Sequence, residues 1–194
     1  MDRESEVALV ARLRAGDPDA FEAVHAAFHA KIFNFLARLS RRRDIAEDLL
    51  EETWLRLVAH ASRLEPDTRL APWLYAVARN LFYSYCRSRA MDEDAAALVG
   101  FWPGGTPRPS PFEEAAAEEL ELRVERALAA LPAMHREVLL LVGVEGLSPS
   151  EAARVCGVSS EALRQRLSRA RGMLARELEP APVQGAGLAV GVTT

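Results

Sequence analysis

Ser159-Ser160-Glu161-Ala162-Leu163-Arg164-Gln165-Arg166-Leu167-Ser168-Arg169-Ala170-Arg171 follows a short capped stretch and a Cys156-Gly157-Val158 turn, an order that reads as the second helix of a helix-turn-helix. The first helix opens at Ser148-Pro149-Ser150-Glu151. A Ser cap, Pro at the first helical position and Glu three residues on satisfy backbone donors that would otherwise lack partners. Gly157 supplies the left-handed residue that ends this helix, and Ser159 or Ser160 caps the next. Leu163, Leu167, Ala170, Leu174 and Leu178 then recur at helical spacing and form one buried stripe. Glu161, Arg164, Gln165 and Ser168 centre on the opposite side, with Arg169 and Arg171 at its flanks. Arg forks onto guanine, Gln onto adenine, and further Arg onto phosphate, so this face suits a DNA groove.

A solvated face is the plain alternative for any Arg-rich helix, and charge distribution argues against it here. Six arginines (154, 164, 166, 169, 171 and 176) and one acid, Glu161, lie between Arg154 and Arg176, while the whole chain carries a net charge of −4. Basic charge is thus concentrated on this element. All basic residues but Lys31 are arginine, although a GC-rich genome produces the same bias.

A length of 194 residues holds one ordinary domain or two small ones, and 49% hydrophobic residues suffice for packed cores. No run reaches the roughly 18 apolar residues of a membrane span. Met1-Asp2-Arg3-Glu4 lacks the apolar stretch of a signal peptide, so a cytoplasmic location is expected. Cys86 and Cys156 fall in different predicted domains and read as small apolar fillers rather than a disulfide.

Helical periodicity runs through the chain and strand alternation is absent, which predicts an all-α fold. Val7, Val10 and Leu13 mark a short helix stopped at Gly16. Asp17-Pro18-Asp19 starts a second, with Phe21, Val24, Phe28, Ile32, Phe35 and Leu39 in register. Asp44 is expected to cap a third, whose apolar positions are Ile45, Leu49, Thr53 and Leu57 with Trp54 and Val58 beside them. After a Glu65-Pro66-Asp67-Thr68 turn, Leu70 to Arg89 forms a fourth, with Trp73, Leu74, Val77, Leu81 and Phe82 assigned to the core. The Gly- and Pro-rich stretch 90–111 reads as a flexible linker. Helical periodicity resumes from Phe112 to Leu131, stops at Pro132, and Met134 to Val144 precedes the helix-turn-helix. The organisation is therefore a domain at 1–89, a linker at 90–111, a domain at 112–179 and a disordered tail at 180–194.

Two N-terminal stretches carry further function. Asp44 to Trp54 places Glu47, Asp48, Glu51 and Glu52 on adjoining turns, an acidic face that can dock on a basic helical surface or simply be solvated. Trp73 to Arg89 holds three arginines, no acid and several aromatic rings, as melted DNA requires of a partner that pairs phosphates and stacks bases. His25 and His29 stand four apart, a spacing compatible with metal, but with no clear third ligand they read as ordinary surface or core residues. No phosphate-binding glycine loop, nucleophile motif or cofactor site is apparent, and an enzyme is not expected.

Asp19-Ala20-Phe21, Ala46 to Trp54, Trp73 to Asn80, Leu128 to Pro132 and Leu147 to Arg171, in that order around a breaker-rich linker, resemble the group 4, extracytoplasmic-function sigma factors of bacterial RNA polymerase. The resemblance covers about residues 18–89 and 112–178. It implies a region 2 domain and a region 4 helix-turn-helix domain. It also implies that Glu47, Asp48, Glu51 and Glu52 bind the coiled coil of the largest polymerase subunit, with a further contact to the flap. The loop from Ala61 to Leu70, including Arg63, with Arg79, Asn80, Tyr83 and Arg87, would recognise and open the minus-ten element. The terminal helix would read the minus-thirty-five element through Arg164, Gln165, Ser168 and Arg169, with Ser160 and Glu161 at its start and Arg166 and Arg171 nearer phosphate. An anti-sigma factor is the expected regulatory partner. Glu51 stands where the family often has Gln, and Leu70-Ala71-Pro72 replaces an aromatic-led approach to Trp73. The rival readings are a conventional DNA-binding regulator without polymerase affinity and an adaptor that titrates another regulator; neither needs both the acidic and the basic helix.

Overall fold

Local capping fixes several helix starts in the structure, a computed structural model that describes residues 2–91 and 111–179, with side chains at 2–89 and 119–179. Helix α1 (Arg3–Arg14) starts beneath Asp2, whose carboxylate accepts from the Ser5 N–H. Gly16, at φ +77°, turns the chain into α2 (Pro18–Ser40), capped by Asp17 with Pro18 in the first turn. Arg12 donates to the Asp17 carboxylate at 2.7 Å and thereby holds its pKa below the usual value. Helix α2 ends at Arg41, which adopts a left-handed φ of 61°.

Helix α3 (Arg43–His60) begins two residues before the position expected from Asp44 as cap. Arg42 precedes it without a side-chain cap bond, and Asp44 lies inside the first turn, paired with Arg42. A carboxylate there still faces the unpaired N–H groups of the helix start, so it stabilises the same end from inside. A short turn at Ala61–Arg63 and the predicted turn, closed by Thr68 N–H donating to the Glu65 carbonyl at 3.0 Å, lead into α4 (Leu70–Met91).

Helices α2, α3 and α4 pack around Val24, Ile32, Phe35, Leu36, Trp54, Leu57, Leu74 and Tyr75. Val58 departs from its expected place beside this core and is 61% exposed. One step of about 100° beyond the buried Leu57 carries it to the outer side of the helix. Leu74 and Phe82 are buried as expected, whereas Trp73, Val77 and Leu81 are half-buried along a seam.

The second half comprises α5 (Pro111–Ala130), α6 (Ala133–Leu139) with a π-helical turn at Leu140–Val144, α7 (Pro149–Cys156) and α8 (Ser160–Leu178). Ala90, Met91 and Pro111, read from sequence as linker, are helical; the rest of that stretch and the tail at 180–194 lie outside the described residues. Among the described residues every regular element is helical.

The two halves are in contact, and their buried residues form one continuous apolar cluster from Val10 to Ala170. Helix α4 lies against α7, and α2 against α5 and α6. Arg136 pins this junction from inside. It is 4% exposed and donates to the carbonyls of Leu128 (2.9 Å), Ala129 (3.0 Å) and Leu131 (2.7 Å) near the end of α5, and of Arg38 (3.2 Å) and Leu39 (2.9 Å) at the end of α2. A cation is favoured where two helices present unpaired carbonyls. Burial lowers the Arg136 pKa to about 10, so the group remains charged at neutral pH.

Candidate nucleic-acid interface

The helix-turn-helix forms as its sequence dictates. Ser148 accepts from the Glu151 N–H while the Glu151 carboxylate accepts from the Ser148 N–H at 3.0 Å, completing the capping box. The Ser148 hydroxyl also donates to that carboxylate at 2.7 Å, and this bond first, then the one from the Ser148 N–H, holds the Glu151 pKa below its ordinary value. Gly157 takes φ +65°, and Ser159 rather than Ser160 caps α8, accepting from Ala162 N–H at 3.1 Å. Leu163, Leu167 and Ala170 are buried, while Leu174 and Leu178 are half-buried at the far end of the stripe.

On the outer side Ser160, Glu161, Arg164, Gln165, Ser168, Arg169 and Arg171 are all exposed. Glu161 sits between two of the side chains expected to read DNA: Arg164 lies 3.2 Å from one carboxylate oxygen and Gln165 donates to the other at 3.2 Å. Such exposed contacts are weak enough to exchange for base edges. Arg166 is the exception. It is half-buried and turned inward onto Glu137, at 3.2 Å.

The α4 set divides as well. Asn80, Arg87 and, on the preceding turn, Arg63 are exposed. Arg79 is half-buried, donating to Glu137 at 3.0 Å and to Asn80 at 3.2 Å, with its guanidinium 4.6 Å from the centre of the Tyr83 ring. The Tyr83 hydroxyl is buried without a hydrogen-bond partner, and burial followed by the nearby Glu137 charge pushes its pKa up. Beside this set lies a cavity of about 390 Å³ lined by Arg56, His60, Trp73, Val77, Asn80, Leu81 and Ser84. Its walls combine an aromatic face, an amide and a guanidinium, groups that stack on and hydrogen-bond a base.

On α3, Glu47, Asp48 and Glu51 are exposed and Glu52 is half-buried. Glu47 pairs with Arg43 at 2.6 Å and Glu52 with Arg56 at 2.7 Å, both along the helix. Asp48 and Glu51 continue into Leu55 and Val58, which are 62% and 61% exposed, at spacings of three, four and three that place all of them on one side of α3. The sequence places Val58 beside the core and does not single out Leu55. An acidic stripe ending in two exposed aliphatic residues marks a contact face more firmly than charge alone. His25 and His29 lie 2.9 Å apart beside Trp54, with His29 stacked on its ring and His25 tilted against it. Among the described residues no group of three or more His, Cys, Asp or Glu is gathered at metal-binding distance.

The residues that join the halves were also missed. Tyr75 is buried at 1% exposure and its hydroxyl donates to Glu145; burial raises the Glu145 pKa. Arg38 pairs with Glu125 at 2.7 Å. Glu6, buried on α1, accepts from the Leu70 N–H at 2.9 Å and pairs with Arg69, which also reaches Glu151 at 3.5 Å. Glu137 carried a readable signal: it stands four residues after Ala133 and four before Leu141, an acid in an apolar register.

Comparison with known proteins agrees with this geometry. The family description "Sigma-70 region 2" matches residues 24–91, and "Sigma-70, region 4" matches 121–174. The chain is 38% identical over 141 residues to the ECF RNA polymerase sigma factor EcfG of Rhodopseudomonas palustris, covering 72% of this chain and 75% of that protein. It is 35% identical over 164 residues to the RNA polymerase sigma factor CarQ of Myxococcus xanthus, covering 81% and 88%. Among solved structures, the sigma factor RpoE in complex with the anti-sigma factor NepR from Bartonella quintana superposes with a TM-score of 0.67 at 28% identity, over 81% of this chain and 96% of that one. Among the described residues no helix is long and apolar enough to cross a membrane. A region 2 helical unit, a region 4 helix-turn-helix and relatives matched over three-quarters or more of their own length place the chain in one family: it belongs to the extracytoplasmic-function sigma factors of the sigma-70 family.

Proposed function

We propose that this protein is a cytoplasmic, non-enzymatic promoter-specificity subunit that binds core RNA polymerase and sets two DNA readers on the promoter. Residues 1–89 carry polymerase docking and minus-ten opening, and residues 112–179 carry minus-thirty-five reading. On α3 the docking residues are Glu47, Asp48, Glu51 and Glu52 with Leu55 and Val58, facing the coiled coil of the largest subunit; the flap would take the second domain. Arg63, Arg79, Asn80, Tyr83 and Arg87 serve the opened strand, and the cavity beside Asn80 is roomy enough for one unstacked base. Arg164, Gln165, Ser168 and Arg169 read the duplex from α8, with Ser160 and Glu161 at its start and Arg166 and Arg171 toward phosphate. The likeness to a sigma factor bound by an anti-sigma factor supports control by a partner of that kind.

The observation that carries this reading is the coexistence of the exposed acidic and aliphatic stripe on α3 with the exposed Arg and Gln face of α8. A simple repressor needs only the second. Gel filtration with purified core polymerase tests it: the wild type should comigrate with core, and Glu51→Arg should weaken that association. Failure of the wild type to associate would leave only a DNA-binding regulator.

A further inference from the structure

Glu137 is fully buried, and its carboxylate holds one arginine from each of the two DNA-reading helices. Arg79 of α4 lies 3.0 Å from one oxygen and Arg166 of α8 lies 3.2 Å from the other. Both arginines are mostly enclosed, with side-chain exposures of 17% and 19%. A buried acid between two cations is a strong, geometry-dependent tie, because neither half can leave without stranding charge in a poorly hydrated junction. Around it stand Tyr83 and the buried Cys156, which add no opposing charge in their neutral forms.

We propose that Glu137 is an interlock that keeps the two DNA readers together and Arg79 occupied until the halves are separated. The inference rests on the reading above for the assignment of Arg79 and Arg166 to DNA. Elements named minus ten and minus thirty-five lie about 25 base pairs apart, or roughly 85 Å at the duplex rise of 3.4 Å. Two arginines on one carboxylate cannot serve both elements at once. The segment from Met91 to Pro111 spans at most roughly 70 Å when extended, enough for the halves to move far apart once released. Docking does not require that release, because Asp48, Glu51, Leu55 and Val58 stay exposed in the locked arrangement. The interlock therefore imposes an order: α3 docks first, and the Arg79–Glu137–Arg166 tie opens afterwards.

Glu137→Gln in the full chain removes the charge while preserving shape. Small-angle scattering should show wild-type protein compact and the variant expanded. Affinity for a labelled mixed-sequence single-stranded oligonucleotide at low salt should rise roughly three- to tenfold, as the competent population grows. Arg79→Gln cuts the same tie from the α4 side and should expand the particle even if Glu137→Gln fails to fold. Unchanged dimensions in Arg79→Gln and in any folded Glu137→Gln protein overturn the interlock. Expansion of Glu137→Gln without gain in oligonucleotide affinity overturns its role in masking Arg79. Scattering involves neither polymerase nor promoter, so loss of the sigma-factor reading in a transcription assay would register separately.

Discussion

On the proposed reading, base recognition by α8 turns on Arg164. It is exposed and pairs with Glu161 on the same surface, a pairing that contributes little in water. Arg164→Ala should lose about 1–3 kcal/mol at one base pair of its site and leave neighbouring positions unaffected, measured by competition among single-base duplex variants. Equal weakening on every variant would make it a phosphate contact. Cys156 reports on the packing beneath that helix. Burial first, and then the Glu137 charge, push its thiol up to about 12. Because the folded pKa exceeds the unfolded one, the unfolded chain ionises first as pH climbs past the ordinary thiol range, and stability falls from there toward pH 12. Cys156→Ala should flatten this alkaline decline in urea-unfolding free energy; an unaltered slope would contradict the buried-thiol account.

At the scale of elements, what the sequence reveals is what neighbouring residues decide among themselves. Ser148, Glu151, Gly157 and Ser159 act within a few residues of one another, and the helix-turn-helix they predict is the one observed. Ser148→Ala should lower the thermal stability by about 1 kcal/mol, since the hydroxyl satisfies a helix-start donor. Val58 was assigned to the core because it neighbours Leu57 in an apolar stretch, but only the packing of α3 on α2 and α4 decides which face turns outward. Arg136, Glu137, Tyr75 and Glu145 lay beyond reach for a related reason. Their partners in the other half are 58 to 98 residues away in sequence, and periodicity carries no record of such pairings. The exposed pair on α3 makes its own prediction. Leu55→Glu should weaken core-polymerase association at least tenfold while leaving the unfolding midpoint unmoved, because the wild-type side chain is 62% exposed. A matching fall in stability would instead mark Leu55 as structural.

For the whole molecule, a sequence with two recognisable regions and a breaker-rich connection between them suggests two independent bodies, yet the described halves share one apolar core. Arg136 couples them through both helix ends, so Arg136→Met should destabilise the protein by about 3 kcal/mol or more in denaturant unfolding, because several buried carbonyls lose their donor together. On the proposed reading, the closed arrangement leaves the α3 stripe accessible while it keeps the two DNA-reading helices from the separation that a promoter demands. Its family membership and its exposed faces lead to the same central claim, that it directs polymerase to start sites. Run-off transcription by purified core polymerase on fragments of the genome that encodes it tests that claim most directly. The account predicts discrete transcripts that appear only when the protein is added and share two upstream elements at fixed spacing; no added transcripts, together with no association with core, would contradict it.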